Sequence, residues 1–253
     1  MTRALTIGCL TMLIWSRLSA QDNYEYKVYG AKTLGRDTSL LELFSNFSIV
    51  GAPASGDTFS TNGMDRETVA LTHGFSSWFE LGAYLLNSIA DQGRAGVVGG
   101  QLQPRFMIPD RWHWPVGLGL ALKGGYMRMG YGPDTWSVEM RPILDKQAGR
   151  FYFSVNPTLY RSFHGANDGR GFIFAPAAKV DLKFGRWAPG LEYYGDFGPL
   201  SGFYYPPDDQ QHQVFLTIDG YFNPRWEFNA GYGDGLTRSS DRSLVKLTVG
   251  RRF

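Results

Sequence analysis

The sequence predicts an all-β protein, an up-and-down antiparallel transmembrane β-barrel of about 12 strands. Three observations lead to this fold class. Apolar and polar residues alternate over many short stretches, and no stretch has a helical period. The chain contains 32 glycines and 15% aromatic residues, both common where strands pack closely and aromatic side chains form interfacial belts. The chain also ends on Phe253, directly after an alternating stretch.

Residues 1–20 have the pattern of a secretory signal peptide. Arg3 precedes an apolar run that reaches Trp15, and the small residue Ala20 stands where cleavage would fall. The run is too short to span a bilayer. Cys9 is the single cysteine and lies in this segment, so we expect neither a disulfide nor a thiol site in the mature chain.

The net charge and the hydropathy of the chain argue against nucleic-acid binding and against helical membrane spans. The formal net charge is +2 and no basic run occurs, so no nucleic-acid partner is expected. No later apolar stretch reaches about 18 residues, which argues against helical membrane spans.

Twelve stretches in order have an apolar face opposite a polar or small-residue face. The apolar faces begin at Leu41, Val69, Phe79, Val98, Val116, Trp136, Phe151, Phe174, Leu191, Val214, Trp226 and Val245. The opposite faces hold most of the charges together with glycine and alanine. We therefore expect the apolar faces to meet lipid and the other faces to line a lumen. A soluble sandwich would instead need polar outer faces.

The connections between these stretches alternate in length. Short ones are predicted at 76–77, 109–114, 145–150, 185–186 and 223–224, and longer ones at 51–64, 88–94, 129–134, 164–170, 198–211 and 237–241. Short periplasmic turns and longer outer loops are typical of membrane barrels. Aromatic residues gather at the short-turn end and predict an interfacial belt. The belt residues are Phe75, Trp78, Phe106, Trp112, Trp114, Phe151, Phe184, Trp187, Tyr221, Trp226 and Phe253.

The last stretch resembles the carboxy-terminal signature of bacterial outer-membrane proteins. Its apolar face is formed by Val245, Leu247, Val249 and Phe253, which we interpret as an assembly signal read by the barrel-assembly machinery. Arg251 departs from the signature, because an apolar or aromatic residue usually stands at that position.

Residues 21–37 are predicted to be an N-terminal extension, located in the periplasm or folded into the lumen, and residues 38–253 the barrel. The extension contains a weakly alternating, tyrosine-rich stretch at 23–32. Counting that stretch as a strand would give an odd number, whereas single-chain bacterial barrels have even numbers of strands.

The inner faces supply the candidate site residues. The lumen-facing candidates are Glu80, Arg105, Lys123, Glu139, Arg141, Lys179, Asp181, Glu192, Asp196, Asp219, Glu227 and Lys246. Acidic and basic groups are nearly balanced, so strong ion selectivity is not expected. The charges could form a structural ion-pair network that fills the interior, or they could line a hydrated lumen that conducts polar solutes.

No enzyme, cofactor or metal site is predicted. The histidines His73, His113, His164 and His212 give no pair with metal-ligand spacing. His73 and Ser76 are close in sequence, but a hydrolase triad is recognised by geometry and not by spacing.

Several stretches together resemble a family of uncharacterised Gram-negative outer-membrane barrels, which is grouped with meta-pathway phenol-degradation proteins. They are 24–30 (YEYKVYG), 79–84 (FELGAY), 141–144 (RPIL), 189–196 (PGLEYYGD) and 231–237 (GYGDGLT). The resemblance implies a bacterial outer-membrane location, contact with outer-membrane lipid, and uptake of a small solute, and the grouping with phenol degradation extends this to aromatic solutes. Asp234 departs from the pattern of that glycine-rich strand. A structural or adhesion barrel with a closed lumen, and an outer-membrane lipid hydrolase, are the alternative functions.

Overall fold

The computed structural model describes residues 23–90, 94–202 and 206–253, which form a closed, antiparallel, up-and-down barrel of 12 strands. This confirms the predicted fold class. The predicted signal peptide lies outside the described residues. None of the helices in the described ranges is long and apolar enough to cross a membrane.

The strands follow one another around the barrel. The first six are β1 (Thr38–Val50), β2 (Asp65–Gly74), β3 (Phe79–Ala90), β4 (Arg94–Met107), β5 (Gly117–Met127) and β6 (Asp134–Ala148). The others are β7 (Phe151–Asn156 and Leu159–Gly165), β8 (Ile173–Phe174 and Ala177–Leu182), β9 (Trp187–Asp196), β10 (Gln211–Gly220), β11 (Trp226–Gly235) and β12 (Ser243–Arg252). Two short 3-10 turns lie at Asp110–Trp112 and Pro207–Asp209.

Prolines interrupt β7 and β8. Pro157 lies between the two segments of β7 and Pro176 between those of β8, because proline cannot donate a ladder hydrogen bond. Both segments of β7 nevertheless pair with β6, so each interrupted strand occupies one position in the ring.

The barrel closes where β1 pairs with β12. Leu43 lies opposite Val249 in this antiparallel register. The seam ends in two backbone hydrogen bonds between Ser39 and Phe253, each 2.9 Å long. Such closure leaves no strand edge available for pairing with another chain.

The two faces of the wall follow the predicted alternation, with one exception. In β1, for example, Leu41 and Leu43 are exposed while Glu42 is buried. Val98 was predicted on the outer face, which was wrong, because it is 1% exposed and Val97 is exposed instead. The cause is a β-bulge, since Asn87 pairs with Val97 and the preceding pair skips one residue of β4.

The connections depart from the prediction at two places. The loop predicted at 88–94 is shorter, because β3 continues to Ala90 and β4 begins at Arg94. The turn predicted at 145–150 is reduced to Gly149 and Arg150, with Gly149 at a φ of 60°, a conformation that favours glycine. At the opposite end of the barrel lie the longer connections 51–64, 128–133, 166–172, 197–210 and 236–242.

The aromatic residues of the predicted belt are exposed on the outer face at the short-turn end. Several contact one another, as in the stacked rings of Trp78 and Phe106, whose centroids are 6.3 Å apart. Arg251 lies in this belt, with its guanidinium 5.7 Å from the centre of the Trp226 ring. A cation–π contact therefore gives this departure from the terminal signature a structural role.

Candidate functional site

The twelve charged candidates lie on the side of the wall opposite the exposed apolar face. Their side chains are buried or partly buried, whereas Val245, Leu247 and Phe253 of the predicted assembly signal are exposed on the outer face and Val249 is partly exposed. The inward charges fall into two groups on opposite sides of the ring.

The first group lies on β3 to β6. The carboxylate of Glu80 is 2.7 Å from the guanidinium of Arg105, and that of Glu139 is 2.7 Å from Arg141. Lys123, between them on β5, is 2.5 Å from a carboxylate that belongs to none of the strands, that of Glu25.

The second group lies on β8 to β12 and is centred on Lys179. Its ammonium is 3.2 Å from Asp181 and 3.1 Å from Glu192, and it also contacts Asp219. Glu192 is shared with the ammonium of Lys246. Paired in this way, the buried charges avoid the large cost of an isolated ion in a low-dielectric interior.

A segment of the chain that precedes β1 runs inside the barrel. We call residues 23–34 the lumenal segment. Its side chains Tyr24, Tyr26 and Tyr29 are each at most 2% exposed, and Glu25 is 3% exposed. The N-terminal extension was predicted to be periplasmic or lumenal, and these described residues lie against the inner wall.

Apolar residues on the inner wall cover the tyrosines in three clusters. Tyr24 packs in one cluster, Tyr26 and Val28 in a second, and Tyr29 and Ala31 in a third. Their wall partners include Phe44, Leu86, Val98, Phe215, Leu244, Met107 and Ile143. Apolar side chains facing a water-filled lumen would be unfavourable, and the segment removes them from water.

Polar side chains of the wall bind the backbone of the lumenal segment. The Asn156 amide accepts a hydrogen bond from the Tyr29 N–H at 2.7 Å and donates to the Tyr29 carbonyl at 3.0 Å. Ser154 donates to the same carbonyl at 2.6 Å. Arg105 donates to the carbonyl of Gly30 at 3.1 Å.

The charged side chains of the lumenal segment reach opposite walls. Glu25 pairs with Lys123 on β5, whereas the Lys27 ammonium is 2.6 Å from Glu42 on β1 and 3.8 Å from Glu227 on β11. In a ring of 12 strands, β5 and β11 are six positions apart and therefore face each other. The segment thus bridges the lumen electrostatically.

The space that remains is unequally divided. At the short-turn end is a cavity of about 400 Å³, with Glu80, Arg105, Asp145 and Arg252 among its lining residues. Towards the long loops, two cavities of about 70 Å³ each adjoin Asn23. The lumenal segment therefore separates a vestibule from much smaller spaces at the other end.

Near the long loops, a buried carboxylate ties two connections and the strand ends beside them together. Asp241 accepts hydrogen bonds from the Ser48 hydroxyl and the Ala52 N–H, both at 2.8 Å, and from the Thr61 hydroxyl. It also lies 3.3 Å from the Arg66 guanidinium. Burial alone would raise the pKa of Asp241, but Arg66 and these hydrogen bonds hold the pKa below its ordinary value.

The candidate residues from the sequence omitted Glu25, Lys27, Asn156 and Asp241. Asn156 has the alternation of an inner-face residue, and that signal could have identified it. The other three lie outside the strands, so no alternation indicates where their side chains point.

Among the described residues, His73 and Ser76 are not hydrogen-bonded to each other as the pair in a catalytic triad would be. His73 is hydrogen-bonded to the Ser39 hydroxyl at 2.9 Å, and Ser76 instead accepts hydrogen bonds from the backbone N–H groups of Trp78 and Phe79. A triad also requires a group that orients the imidazole. Across the described ranges, no three His, Cys, Asp or Glu side chains are grouped to hold a metal ion.

No protein-family model matches the chain, and no curated protein matches its sequence. Among solved structures, it is similar to the COG4313 outer membrane channel from Pseudomonas putida F1. The identity is 11%, the TM-score is 0.60, and the alignment covers 90% of this chain and 100% of that one. It is also similar to a KdgM porin, at 10% identity and a TM-score of 0.54, covering 85% of this chain and 99% of the porin.

Identities this low establish the fold and nothing finer. The resemblance to outer-membrane barrels is confirmed at that level, while these neighbours provide no link to phenol degradation. The neighbours are channels and porins, not enzymes. The chain therefore has the fold of bacterial outer-membrane channel proteins, with a segment of its own backbone lying in the lumen.

Proposed function

We propose that the protein is a gated channel of the bacterial outer membrane for a small polar solute, and that the lumenal segment is the gate. The observation that carries the proposal is the bridging of both walls by Glu25 and Lys27. A gate must close the lumen and must also be able to leave it. The segment is joined to the wall by side-chain contacts, and it pairs with no strand as part of a sheet.

The outer surface supports the membrane location. Exposed apolar residues occupy every strand, and the aromatic belt lies at one end of the barrel. So large an apolar surface is unfavourable in water and is covered by lipid in membrane barrels.

Twelve strands also give the channel enough width. Eight strands enclose an interior that side chains just fill, so a ring of 12 leaves additional room. Here the lumenal segment takes up that room. Its withdrawal would connect the vestibule of about 400 Å³ with the outer cavities.

An aromatic solute, implied by the family resemblance, is compatible with the wall. The ring of Tyr29 lies between two guanidinium groups, with its centre 4.5 Å from that of Arg105 and 4.9 Å from that of Arg141. A cation–π site of this kind would hold an aromatic group of a passing solute once Tyr29 had left.

A closed structural barrel is the second candidate function. The three apolar clusters favour it, because their burial stabilises the occupied state. In that case the segment would act as an internal core and would remain in place throughout the life of the protein.

Planar-bilayer recordings distinguish the two functions. We compare the mature protein with a variant that lacks residues 21–32. For a gated channel, we expect rare openings of the mature protein and steady conductance of the variant. Absence of conductance from both, with circular dichroism still showing a folded barrel, would favour the structural function. Steady conductance from both would support a channel in which the segment is not a gate.

A further inference from the structure

We infer that the open lumen accepts short peptides with free charged termini, because its walls already bind a peptide of this kind, the lumenal segment. This inference rests on the proposed gated channel and names its class of solute. Three features support it: the hydrogen bonds of the wall to backbone groups, the positions of the wall charges, and the width of the lumen.

The wall recognises peptide groups. Asn156 contacts both the N–H and the carbonyl of Tyr29, a two-point contact that fits one residue of a peptide backbone and that a hydroxyl-bearing sugar would not reproduce with the same geometry. Ser154 adds a third hydrogen bond to the same residue.

Similar contacts follow the segment along the lumen. Thr68 on β2 donates to the Tyr24 carbonyl at 3.0 Å, and Lys246 on β12 donates to the Tyr26 carbonyl at 3.1 Å. At the vestibule, Asp145 and Glu80 accept backbone N–H groups, each at 2.9 Å. A solute without repeated amides would not replace these hydrogen bonds, which is unfavourable at a site built for them.

The wall also offers complementary charges on opposite sides. When the segment leaves, Lys123 loses the Glu25 pair and Glu42 loses Lys27. A carboxylate is thereby favoured near β5 and an ammonium near β1. Ion pairs between wall residues, such as those of Glu80 with Arg105 and of Glu227 with Arg252, remain. A zwitterion satisfies both vacated positions, whereas a solute with one charge satisfies one.

The vacated space has the necessary width. The segment is a single polypeptide chain without regular secondary structure, and it carries large side chains such as Tyr26 and Tyr29. A lumen that contains such a chain is wide enough for another single chain.

Liposome swelling tests this inference on the full chain with a weakened segment. We introduce Glu25→Gln, Lys27→Gln and Tyr29→Ala, which loosen the segment and leave the wall unchanged. Three solutes are compared: trialanine, its acetylated and amidated form, and a neutral sugar of similar size. We expect trialanine to enter several-fold faster than either of the others.

The decisive wall variant is Asn156→Leu, with Gln213→Leu as its control, an inward-facing amide of β10. We expect Asn156→Leu to remove the preference for trialanine and the control to keep it. Should Asn156→Leu fail to assemble, as judged by unchanged gel migration on boiling, Ser154→Ala provides the same test with a smaller change.

Two other results would contradict peptide selectivity, and the second of them would also contradict the gated channel. Equal entry of sugar and trialanine would disprove peptide selectivity but retain the channel. Entry of neither, from a folded barrel, would contradict the gated channel as well.

Discussion

The carboxylate of Glu25 lies 2.5 Å from the ammonium of Lys123, and this pair fastens the lumenal segment to β5. Both side chains are buried, at 1% and 4% exposure. Lys27 makes the corresponding contact with Glu42 on the other side of the lumen. The segment is thus held between two walls by charges of opposite sign.

Reversing Glu25 should open the channel. In Glu25→Lys, two ammonium groups would face each other, and breaking a buried pair costs about 3–5 kcal/mol. We expect a much larger open fraction in single-channel recordings. The double variant Glu25→Lys with Lys123→Glu restores an ion pair and should close again.

The exposed Arg238, 3.8 Å from Asp208, supplies a control for that experiment. Charge reversal there should leave the open fraction unchanged, because exposed pairs contribute little. A double variant as open as the single one would show that the Glu25 pair does not hold the gate.

The two faces of β12 should respond differently to charge. Leu247 is exposed on the outer face, and Lys at a lipid-facing position near the midplane costs about 2–4 kcal/mol. We expect Leu247→Lys to reduce the amount of folded barrel in the membrane, measured as the protein whose gel migration changes on boiling. Lys246→Gln, one residue earlier on the inner face, should still assemble. Equal losses in both variants would show that the assignment of the two faces is wrong.

We expect Phe253 to contribute to assembly through its backbone and its side chain. Deleting Phe253 removes both hydrogen bonds to Ser39 at the seam, whereas Phe253→Ala keeps them and removes an exposed ring. We expect deletion to lower the assembled fraction more than Phe253→Ala, measured by gel shift in outer-membrane fractions. If the two variants were equal, the aromatic side chain alone would be the signal.

Asp241 should make the loop end of the barrel sensitive to acid. Its pKa is below the ordinary value of 3.8, so its stabilising effect is complete above the unfolded pKa and is lost as pH falls through the folded value. We expect a melting temperature that is lower at pH 7 in Asp241→Asn, with a difference from wild type that shrinks below about pH 4. A difference that stays constant with pH would contradict this assignment.

The partner of Asp241 allows a second check. Arg66 is 1% exposed, and Asp241→Asn would leave its charge buried without that carboxylate. Replacing both residues by apolar ones should therefore destabilise the barrel less than Asp241→Asn alone.

The fold could be predicted from the sequence because lipid and lumen require opposite faces. Leu41, Leu43 and Phe47 alternate with Glu42 and Asn46 for that reason, and the structure keeps this order. The failure at Val98 has an equally specific cause. One extra residue in a strand inverts every later side chain, and its presence depends on the partner strand, which local alternation does not reveal.

The position of the lumenal segment could not be fixed from its own sequence. The evidence lies elsewhere, in apolar residues such as Phe44, Leu86 and Phe215, which have the alternation of the inner face. Apolar side chains at these inner positions would be unfavourable in a water-filled lumen. Only the folded structure shows that Phe44 and Leu86 pack with Tyr24, and Phe215 with Tyr26.

The short connection between the lumenal segment and β1 affects how a free solute competes with the segment for the lumen. Leu34, whose N–H binds Glu80, is separated from the first residue of β1 by three residues. A tether this short holds the segment at a local concentration of order millimolar or higher. A free solute that makes equivalent contacts must approach that concentration before it competes. A dilute solute would therefore leave the segment in the lumen. At a low external solute concentration the channel would stay closed.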